Sequence, residues 1–439
     1  MLKFIQSEID TLQEFARNRK VESCAFGFVF PLSKNTEKFI VRQLQEVPDN
    51  AYITRTATEA VLKPEYCVEI TNQARAAGAG VILAHTHPGQ FPLEGFSSID
   101  DRGEQALAKY FDSRLPDNVN FSALFTAKGI YARKLGHSDL ISTMGLGKSL
   151  TTHDNLSLEA AELYNRQVLA FGADGQQKID RLKVAIIGLG GTGSIVAQQL
   201  AYLGVNDYIL IDPDVVEVTN INRLVGATPS DIGKSKVSIA SKQISSINPN
   251  AKFREVVGDI TEHGILEQYV DADFIFACTD SMSSRAVLNQ LAYQYLIPCI
   301  DMGVGIHTNN GQIQYIAGRT QMLSPSLPCL VCTDKLDAEQ VRRELMTEEQ
   351  RKRDPYITGA KIPQPAVISI NSLVSSAAIT MFLAAVAGIP SEPRMLIYDG
   401  MRGTIRPSIA PSKTNCIVCS VEGALARGNS WNLPIRGSK

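Results

Sequence analysis

The sequence has almost no excess charge of either sign. Its 439 residues contain 43 Lys and Arg and 45 Asp and Glu, which gives a formal net charge of -2 at pH 7. A protein that binds nucleic acid needs a basic surface, and this balance offers no such electrostatic signature. Nucleic acid is therefore not an expected partner. A composition that is 44% hydrophobic and 20% charged is typical of a soluble globular enzyme.

The N-terminus lacks the order of residues that marks a secretory signal. The stretch MLKFIQSEIDTLQEF mixes acidic with apolar residues, whereas a signal peptide runs from basic to apolar to small residues. Internal repeats and low-complexity tracts are also missing. We expect a cytoplasmic protein. Two domains are expected because one hydrophobic core rarely grows to the size of this chain.

Charged residues are absent between Ile362 and Ser391. The most apolar part, from Leu373 to Ile389, approaches the length of a membrane span. Polar residues interrupt the stretch at Asn371, Ser372, Ser375, Ser376 and Thr380. Because the stretch also lies between two cysteine pairs that are expected to share one metal ion, it is predicted to be buried inside a domain. No membrane is expected as a partner.

Disulfide bonds are not expected, although the chain has eight cysteines. Four of them form two CxxC pairs, Cys329 with Cys332 and Cys416 with Cys419. The others stand in apolar contexts, at Cys24, Cys67, Cys278 and Cys299. Two CxxC pairs supply four thiolates in a tetrahedral arrangement without a place for water, which predicts a structural zinc ion in a reducing compartment. A redox-active CxxC is the alternative, but neither pair opens a thioredoxin-like helix after a strand.

The apolar pattern divides the chain into two α/β regions. Residues 1–135 alternate helices and strands. Residues 136–158 are rich in Gly, Ser and Thr and have weak periodicity, which is typical of an exposed connector. From 159 to 439, strands alternate with helices after a Gly-rich turn, which predicts a Rossmann-like, doubly wound parallel sheet.

Periodicity predicts several elements of the first region. Apolar residues recur at helical spacing from Leu2 to Phe15. A second helix is predicted over Glu65–Ala77 and ends at Gly78. Continuous apolar runs predict buried strands at 24–30 and 81–85.

Two histidines and a carboxylate form the first chemical pattern. His85 and His87 stand at the end of the strand at 81–85, and Ser97 and Asp100 lie where a helix begins. Side chains two apart in a strand point the same way, so two imidazoles can bind one zinc ion, with a carboxylate as third ligand and water as fourth. Zinc lowers the pKa of its water to about 7, but hydrolysis also needs a base and an oxyanion donor.

These residues resemble the motif of the JAMM (JAB/MPN) metalloprotease family. The motif reads His85-x-His87-Pro88, then Ser97-x-x-Asp100, preceded by Glu22-Ser23-Cys24. The resemblance implies a JAB/MPN α/β domain over 1–135 that hydrolyses peptide or isopeptide bonds after a ubiquitin-like C-terminus. It implies zinc ligation by His85, His87 and Asp100, a general base at Glu22 and an oxyanion-stabilising hydroxyl at Ser97.

Three alternatives stay open for this first region. The doublets at 97–98 and 100–101 allow a second register, in which Asp101 pairs with Ser98. Other glutamates can serve as the base, namely Glu46, Glu59 and Glu69. Some MPN-type domains are scaffolds that have lost their metal ion, so a non-catalytic scaffold is the third alternative.

A glycine-rich turn forms the second chemical pattern. The apolar strand from Lys183 to Ile187 runs directly into glycines and a helix, with glycines at Gly188, Gly190, Gly191 and Gly193. Glycines there permit a tight turn and let backbone amides at a helix N-terminus approach a phosphate. Such a turn suits NAD as well as ATP, and Asp212 after the next strand can bind a ribose in either case.

Cations that follow the ribose position favour ATP. The cations are Arg223 and Lys236. The other polar residues of this pattern are Asp212, Asp214, Asn220 and Asp280. A triphosphate needs positive charge at this place, whereas a nicotinamide does not. An aspartate at the carboxyl end of a strand, here Asp280, can hold magnesium beside the phosphates.

The whole run resembles the ubiquitin-activating superfamily of the ThiF/MoeB type. Tyr164-Asn165-Arg166-Gln167 upstream belongs to the resemblance, which extends from about 159 to near the C-terminus. It implies ribose binding at Asp212, nucleotide binding at the glycines and Asp214, and phosphate contacts from Asn220, Arg223 and Lys236. It further implies magnesium at Asp280 and an Arg166 that reaches the triphosphate across a homodimer interface. The implied reaction is adenylation of a C-terminal glycine.

Between Cys332 and Cys416 the sequence has no cysteine. Thioester-forming relatives carry one in the loop that corresponds to residues 354–361. The acyl-adenylate is therefore expected to pass directly to a partner, and an oxyester on Thr358 is the alternative. Together the two regions resemble fusions in bacterial ubiquitin-like conjugation systems, with a modifier that ends in glycine and a conjugating enzyme as partners. Activation of a sulfur carrier is a competing function, and a dehydrogenase is a more distant one.

Overall fold

The computed structural model describes residues 1–33, 36–88, 95–127, 129–153, 162–347, 350 and 365–437. The chain divides into two compact units. Unit 1 is Met1–Leu156 with Ala426–Asn429, and unit 2 is Ser157–Leu425 with Ser430–Lys439.

Unit 1 is built on a mixed sheet that has nine strands in the described part of the chain. Their order is β11-β10-β1-β3-β2-β6-β7-β8-β9. The strands are β1 (Leu2–Ile5), β2 (Cys24–Pro31), β3 (Phe39–Glu46), β6 (Gly80–Thr86), β7 (Phe121–Phe125), β8 (Ile130–Lys134), β9 (Leu140–Ile141), β10 (Thr143–Leu146) and β11 (Leu150–His153). A separate hairpin consists of β4 (Tyr52–Arg55) and β5 (Ala60–Leu62). The helices are α1 (Gln6–Asn18), α2 (Pro64–Ala77) and α3 (Ser98–Arg114).

Strand β2 shows why both faces of this sheet are apolar. Ala25 and Val29 point into a core with Leu12 of α1. Phe26 points the other way, into a core with Ile70 of α2 and residues of α3. Successive side chains of a strand alternate between the two faces of the sheet, and here both sets are apolar. Helix α1 covers one face, and helices α2 and α3 cover the other. The strands predicted at 24–30 and 81–85 are thereby confirmed as continuous apolar runs.

Helix α2 agrees with its sequence signals. Pro64 occupies the first turn, where its missing amide hydrogen is not needed. Gly78 ends the helix with φ 63, and its amide donates to the carbonyls of Ala74 and Arg75. Only glycine adopts this left-handed conformation without strain. The helix predicted over Glu65–Ala77 is confirmed.

The start of the chain differs from its prediction. Helical spacing was expected from Leu2 onward, but Leu2–Ile5 form strand β1, and α1 begins at Gln6. Strand β1 lies between β10 and β3 and pairs with both in parallel. Leu2 and Phe4 are buried in the core, so their tertiary contacts override the local helical pattern.

The exposed connector expected at 136–158 is replaced by strands up to residue 153. Strand β10 extends the sheet, with buried Met144 and Leu146. A Cβ atom at Gly145 would collide with Gln6 and Thr151. The small residues that suggested a linker thus reflect close packing of α1 over short strands. Residues 154–158 lie outside the described ranges.

Unit 2 contains an eight-stranded sheet within the described residues, in the order β14-β13-β12-β15-β16-β17-β18-β19. The strands are β12 (Lys183–Ile187), β13 (Asp207–Ile211), β14 (Lys252–Val256), β15 (Phe274–Ala277), β16 (Cys299–Asn309), β17 (Gln312–Leu323), β18 (Met395–Asp399) and β19 (Thr404–Pro407). The helices are α4 (Asn165–Arg181), α5 (Gly191–Leu203), α6 (Lys236–Ile247), α7 (Leu266–Tyr269), α8 (Met282–Gln294), α9 (Ala338–Leu345) and α10 (Ile368–Val386).

The first five strands of this sheet, β14 to β16, are parallel. The direction of winding reverses between β12 and β15, which is the place where doubly wound folds bind ligands. The predicted Rossmann-like parallel sheet is confirmed here. The antiparallel strands β17 to β19 extend it, which the sequence did not indicate.

Among the described residues, α10 is a helix long and apolar enough to cross a membrane. Half of its most apolar window is buried in the protein. Phe382 packs against Phe274 and Phe276, with ring centroids 4.9 and 5.5 Å apart. Its polar side chains are used as well, since Ser375 Oγ donates to Thr192 O at 3.2 Å. Helix α10 therefore packs inside unit 2, as the interrupting polar residues predicted.

Candidate functional site

In unit 1, three segments of the chain converge at the end of strand β6. Strand β2 runs antiparallel to β6, with Cys24 opposite His85. The pairing continues beyond β2, because Thr86 donates its amide to Ser23 O at 3.0 Å. This register places Glu22, which precedes β2, beside His87.

The side chains of His85, His87 and Asp100 face one another. The distance from His85 Nε2 to Asp100 Oδ1 is 3.2 Å, and that from His87 Nε2 to Asp100 Oδ2 is 3.4 Å. One ligand atom from each of the three residues lies within 4.8 Å of the other two. His85 is 8% exposed, and its Nε2 atom is buried without a hydrogen-bond partner among the described residues. Two imidazole nitrogens and one carboxylate oxygen match a zinc site with an open fourth position.

A capping box fixes the third member of this set. Ser97 Oγ accepts a hydrogen bond from the Asp100 amide at 3.2 Å, and the Ser97 amide donates to Asp100 Oδ2 at 2.6 Å. The two bonds begin α3 and hold the Asp100 carboxylate near the histidines. Asp101 instead forms an ion pair with Arg133 at 2.8 Å, and its side chain is 58% exposed. The structure thus brings Ser97 and Asp100 to the histidines, not Ser98 and Asp101.

The charges around the histidines are arranged unequally. Burial raises the pKa of Glu22, although His85 and His87 partly offset this rise. Burial also acts to raise the pKa of Asp100, but the adjacent imidazoles of His85 and His87 hold it well below its usual range. The raised pKa of Glu22 suits a group that accepts a proton, and the lowered pKa of Asp100 suits a group that stays ionised.

Glu22 is the glutamate that the structure places next to the histidines. Its Oε1 atom lies 3.9 Å from His87 Nε2, and the residue is 6% exposed. Glu46 instead forms ion pairs with Arg19 and Arg55. Glu59 and Glu69, the other two candidates for the base, are exposed.

Arg55 supports Glu22, and no sequence motif indicated it. Its Nε atom donates to the carbonyl of Glu22 at 2.7 Å, and Nη2 donates to Ser23 Oγ at 2.6 Å. Arg55 belongs to strand β4, which no motif connects with the histidines.

In unit 2, the glycine turn lies between β12 and α5. Gly188 has φ 88, and a Cβ atom there would come within 2.7 Å of Cys278 O. A Cβ atom at Gly193 would collide with the carbonyl of Gly188. A Cβ atom at Gly190 would meet nothing within 4 Å, so this residue borders open space at the N-terminus of α5. The helix amides there can bind a phosphate.

Asp212 joins this turn to the next strand. The residue is 4% exposed, and its carboxylate accepts from the amides of Leu189 at 2.6 Å and Asp214 at 2.8 Å. Lys236 Nζ donates to Asp214 Oδ2 at 2.7 Å and lies 3.8 Å from Asp212 Oδ1. Burial raises the pKa of Asp212, and Lys236 opposes that rise. The structure therefore brings Asp212, Asp214 and Lys236 together.

Arg223 and Asn220, two further residues of the predicted nucleotide site, lie in the segment after Asp214. Arg223 Cδ lies 3.5 Å from a Cβ atom built at Gly191, and its Nη1 donates to Thr219 O at 2.8 Å. Asn220 Oδ1 accepts from the Glu217 amide at 3.0 Å, so Asn220 shapes the turn before Arg223.

Asp280 and Arg166 lie at exposed positions. Asp280 follows β15, whose last residue Ala277 pairs with Ile187 at the end of β12. The register therefore puts Asp280 at the same edge of the sheet as the glycine turn. Arg166 lies in the first turn of α4.

Asn371 on α10 is a residue of this site whose role the sequence did not indicate. It is 4% exposed, and a Cβ atom at Gly191 would collide with its Nδ2 atom. Its side chain thus lies against the glycine turn. The only sequence signal was its position as a polar residue in an apolar stretch. The loop at 354–361, with Thr358, lies outside the described residues.

The four cysteines of the two CxxC pairs come together. Sγ distances are 3.7 Å for Cys329 to Cys332, 3.5 Å for Cys329 to Cys416 and 3.5 Å for Cys332 to Cys419. Thiolates at the corners of a zinc tetrahedron are about 3.8 Å apart. The amide of Lys413 donates to Cys332 Sγ at 3.2 Å, which stabilises a thiolate. The donor set fits a closed zinc site.

Known proteins resemble the second unit. The ThiF family matches residues 164–420. The chain is 31% identical over 180 residues to ubiquitin-like modifier-activating enzyme 5 of Dictyostelium discoideum, covering 38% of this chain and 47% of that protein. It is 29% identical over 258 residues to molybdopterin-synthase adenylyltransferase of Salmonella typhimurium, covering 58% of this chain and 95% of that protein.

A solved structure of E. coli MccB with MccA-N7isoASN superimposes with a TM-score of 0.48 at 18% identity, covering 60% of this chain and 76% of that chain. The chain spans about half the length of the ubiquitin-like modifier-activating enzymes that it matches. The family match runs from the residue before α4 to the second CxxC pair and includes the glycine turn, Asp212, Lys236 and Asp280. Because this match covers more than half of the 439 residues, the chain belongs to the ThiF family.

Proposed function

We propose that the chain combines two enzymes of one ubiquitin-like modifier pathway. Unit 2 adenylates the C-terminal glycine of a ubiquitin-like protein with ATP and magnesium. Unit 1 is a zinc-dependent hydrolase of the JAMM type, which cleaves the peptide or isopeptide bond after such a terminus. The observation that carries the proposal is the convergence of His85, His87, Asp100 and buried Glu22 in a chain that belongs to the ThiF family.

In the adenylation step, a carboxylate oxygen of the modifier's terminal glycine bonds to the α-phosphorus of ATP. The bond from that phosphorus to the bridging oxygen breaks, and pyrophosphate leaves. No protein nucleophile is needed, so unit 2 contributes position and charge. The helix amides after Gly190 hold phosphate, and Arg223 beside Gly191 neutralises it. Magnesium at Asp280 would supply further positive charge when bound.

Lys236 supports this assignment through its environment. It is 9% exposed and paired with Asp214, whose side chain is 64% exposed. A buried lysine at the mouth of a nucleotide site can exchange an exposed carboxylate for a phosphate oxygen. Asp212 retains its hydrogen bonds to the glycine turn in that exchange.

In the hydrolysis step, a water oxygen bonds to the carbonyl carbon of the scissile bond, and the carbon–nitrogen bond then breaks. Glu22 accepts a proton from the water and later donates it to the leaving amine. Ser97 Oγ accepts from the Asp100 amide, so its own hydrogen remains available to donate to the oxyanion. Zinc held by His85, His87 and Asp100 would activate the water and polarise the carbonyl.

A second metal ion and two protein partners belong to the same proposal. A structural zinc ion is assigned to the four cysteines of the CxxC pairs, since no open position remains among them. A homodimer would bring Arg166 of one protomer to the other's nucleotide. Without a loop cysteine, the adenylate passes directly to a conjugating enzyme in the cytoplasm.

Activation of a sulfur carrier for cofactor biosynthesis is the second candidate function. The similarity to molybdopterin-synthase adenylyltransferase supports it, because the match covers 95% of that protein. The adenylation chemistry is the same, and the fate of the adenylate differs. Incorporation of sulfide into the carrier's C-terminus as a thiocarboxylate would favour this candidate.

ATP–pyrophosphate exchange tests the adenylation half. The purified chain is incubated with ubiquitin-fold proteins that end in glycine, and Asp280→Ala is compared with Glu255→Ala, an exposed carboxylate on strand β14. Exchange that depends on one modifier, is lost in Asp280→Ala and persists in Glu255→Ala is expected. No exchange with any candidate would contradict adenylation and leave unit 2 as a nucleotide-binding regulator of the hydrolase.

A further inference from the structure

A buried arginine connects the sheet of unit 1 with helix α3. Arg133 on strand β8 is 5% exposed, and its Nε atom lies 2.9 Å from Glu104 Oε2. Glu104 on α3 is 4% exposed and also accepts from Ser122 Oγ at 2.6 Å. Arg133 and Ser122 thus both bind the Glu104 carboxylate in the interior, whereas Arg133 Nη2 is buried without a hydrogen-bond partner among the described residues.

The same guanidinium also reaches the first turn of α3. Arg133 Nη1 lies 2.8 Å from Asp101 Oδ1, and Asp101 directly follows the metal-ligand candidate Asp100. The Arg133 Cζ atom lies 3.7 Å from the ring centroid of Phe96. The Phe96 ring in turn lies 6.0 Å from the ring of His85. One side chain therefore contacts residues next to two of the three candidate ligands.

These contacts go beyond what packing requires. An ion pair between Arg133 and Glu104 would attach α3 to the sheet without Asp101 or Phe96. The additional contacts lie on both sides of Ser97 and Asp100 in the sequence, at positions 96 and 101. A planar guanidinium with five donors can pair with two carboxylates and cover an aromatic ring at once, which a lysine ammonium cannot.

We propose that Arg133 is a positioning residue for the zinc site of unit 1, which fixes Asp100 through Asp101 and the His85 ring through Phe96. The inference rests on the proposed zinc hydrolase and identifies residues that support its ligands. Groups behind metal ligands control their orientation, and their loss typically lowers metal affinity by about 10- to 100-fold.

Zinc content after chelation tests this role. The full chain is expected to hold two zinc ions, and the closed cysteine site serves as an internal reference because no variant in the series changes its ligands. Wild type, His85→Ala, Arg133→Met and Arg133→Lys are titrated with a chelator, and zinc per chain is counted. A matched control is Arg42→Met, a half-buried arginine on strand β3.

At a chelator concentration that leaves two zinc ions on wild type and Arg42→Met, we expect one on His85→Ala and on Arg133→Met. The zinc content of Arg133→Lys should lie between that of wild type and that of Arg133→Met, since lysine keeps the charge but not the three contacts. Hydrolysis of a modifier fusion should lose kcat about 10- to 100-fold in Arg133→Met with little change in KM. Cobalt substitution should show an altered visible spectrum in the same variant, because the ligand geometry changes.

Asp101→Asn keeps the experiment decisive if Arg133→Met fails to fold. Asp101 is largely exposed, and asparagine keeps the shape of its side chain but removes the negative charge that pairs with Arg133 at the first turn of α3. A several-fold loss of zinc affinity is expected in a folded protein. Wild-type affinity and spectrum in both Arg133→Lys and Asp101→Asn would overturn the positioning role. Two zinc ions on His85→Ala would instead overturn the zinc hydrolase itself.

Discussion

The two candidate metal sites of this chain are built in opposite ways. The histidine site combines nitrogen and oxygen ligands from a strand end and a helix N-terminus, with Glu22 beside it. The cysteine site combines four thiolates from two pairs, and Cys416 follows Cys329 at a sequence separation of 87. Three ligands leave room for a reacting water, whereas four close the coordination sphere. The donor sets therefore support the proposal that the histidine site performs chemistry and that the cysteine site holds the chain together.

The largest expected effect comes from opening the closed site. Cys416→Ser removes one of four thiolates that connect two distant segments, and structural zinc contributes directly to folding. We expect the melting temperature of unit 2 to fall by roughly 10 °C or more, with loss of ATP–pyrophosphate exchange. Differential scanning calorimetry measures the shift, and Cys67→Ser, a buried cysteine on α2, is the control. An unchanged melting temperature would contradict a structural role for the cysteines.

A change beside the open site should separate chemistry from metal binding. Glu22→Gln keeps the shape of the side chain but cannot accept a proton, so hydrolysis should fall by about 10²- to 10⁴-fold. Zinc content should stay at the wild-type level, because Glu22 is not among the three ligands. The control is Glu59→Gln, an exposed glutamate in the same unit. Hydrolysis of a modifier fusion at the wild-type rate would exclude Glu22 as the base.

Ser97 is expected to affect both stability and activity of unit 1. Ser97→Ala removes the N-cap of α3 and the proposed oxyanion donor together. Loss of the cap should lower the unfolding free energy by about 1 kcal/mol. Loss of the donor should lower kcat by about 10²- to 10³-fold. Ser97→Asp restores a capping acceptor without a hydroxyl, so it should recover stability but not kcat. If Ser97→Asp and wild type have equal kcat, the hydroxyl takes no part in the reaction.

The sequence predicted much of both sites because their ligands stand in short motifs. His85 and His87 are two apart on a strand, and each cysteine pair is a local turn. The register of Ser97 and Asp100 could not be read from the doublets SS and DD. It is decided in three dimensions, where one aspartate completes the capping box and its neighbour pairs with Arg133.

What the sequence did not reveal depends on contacts between distant segments. Arg133, Arg55 and Asn371 carry no motif and reach the sites only through strand pairing or helix packing. Strands β10 and β11 were missed for a related reason. Each of the two strands has only four residues and mixes apolar with small or polar ones, which leaves little periodicity to detect.

The smallest expected effect contrasts the cysteine site with one buried glutamate of unit 1, because the two have pH dependences of opposite sign. Zinc binding by thiolates strengthens as pH rises, because the thiols must lose their protons. In unit 1, burial raises the pKa of Glu8 to about 7, and the amide of Leu44 offsets this only partly. Between the ordinary glutamate value of 4.5 and about 7, the folded state binds more protons than the unfolded state. The stability contributed by Glu8 therefore falls as pH rises, and this loss is complete above pH about 7.

Glu8→Gln should remove that slope. The variant is expected to gain on the order of 1–2 kcal/mol over wild type at pH 8 relative to pH 4, after allowance for partial solvent access. Urea unfolding of unit 1 at a series of pH values measures the difference, with Glu14→Gln on the same helix as control. Because both variants contain the same cysteine site, the pH dependence of its zinc cancels in the comparison. Parallel pH profiles for wild type and Glu8→Gln would show that Glu8 is ionised in the folded protein at neutral pH.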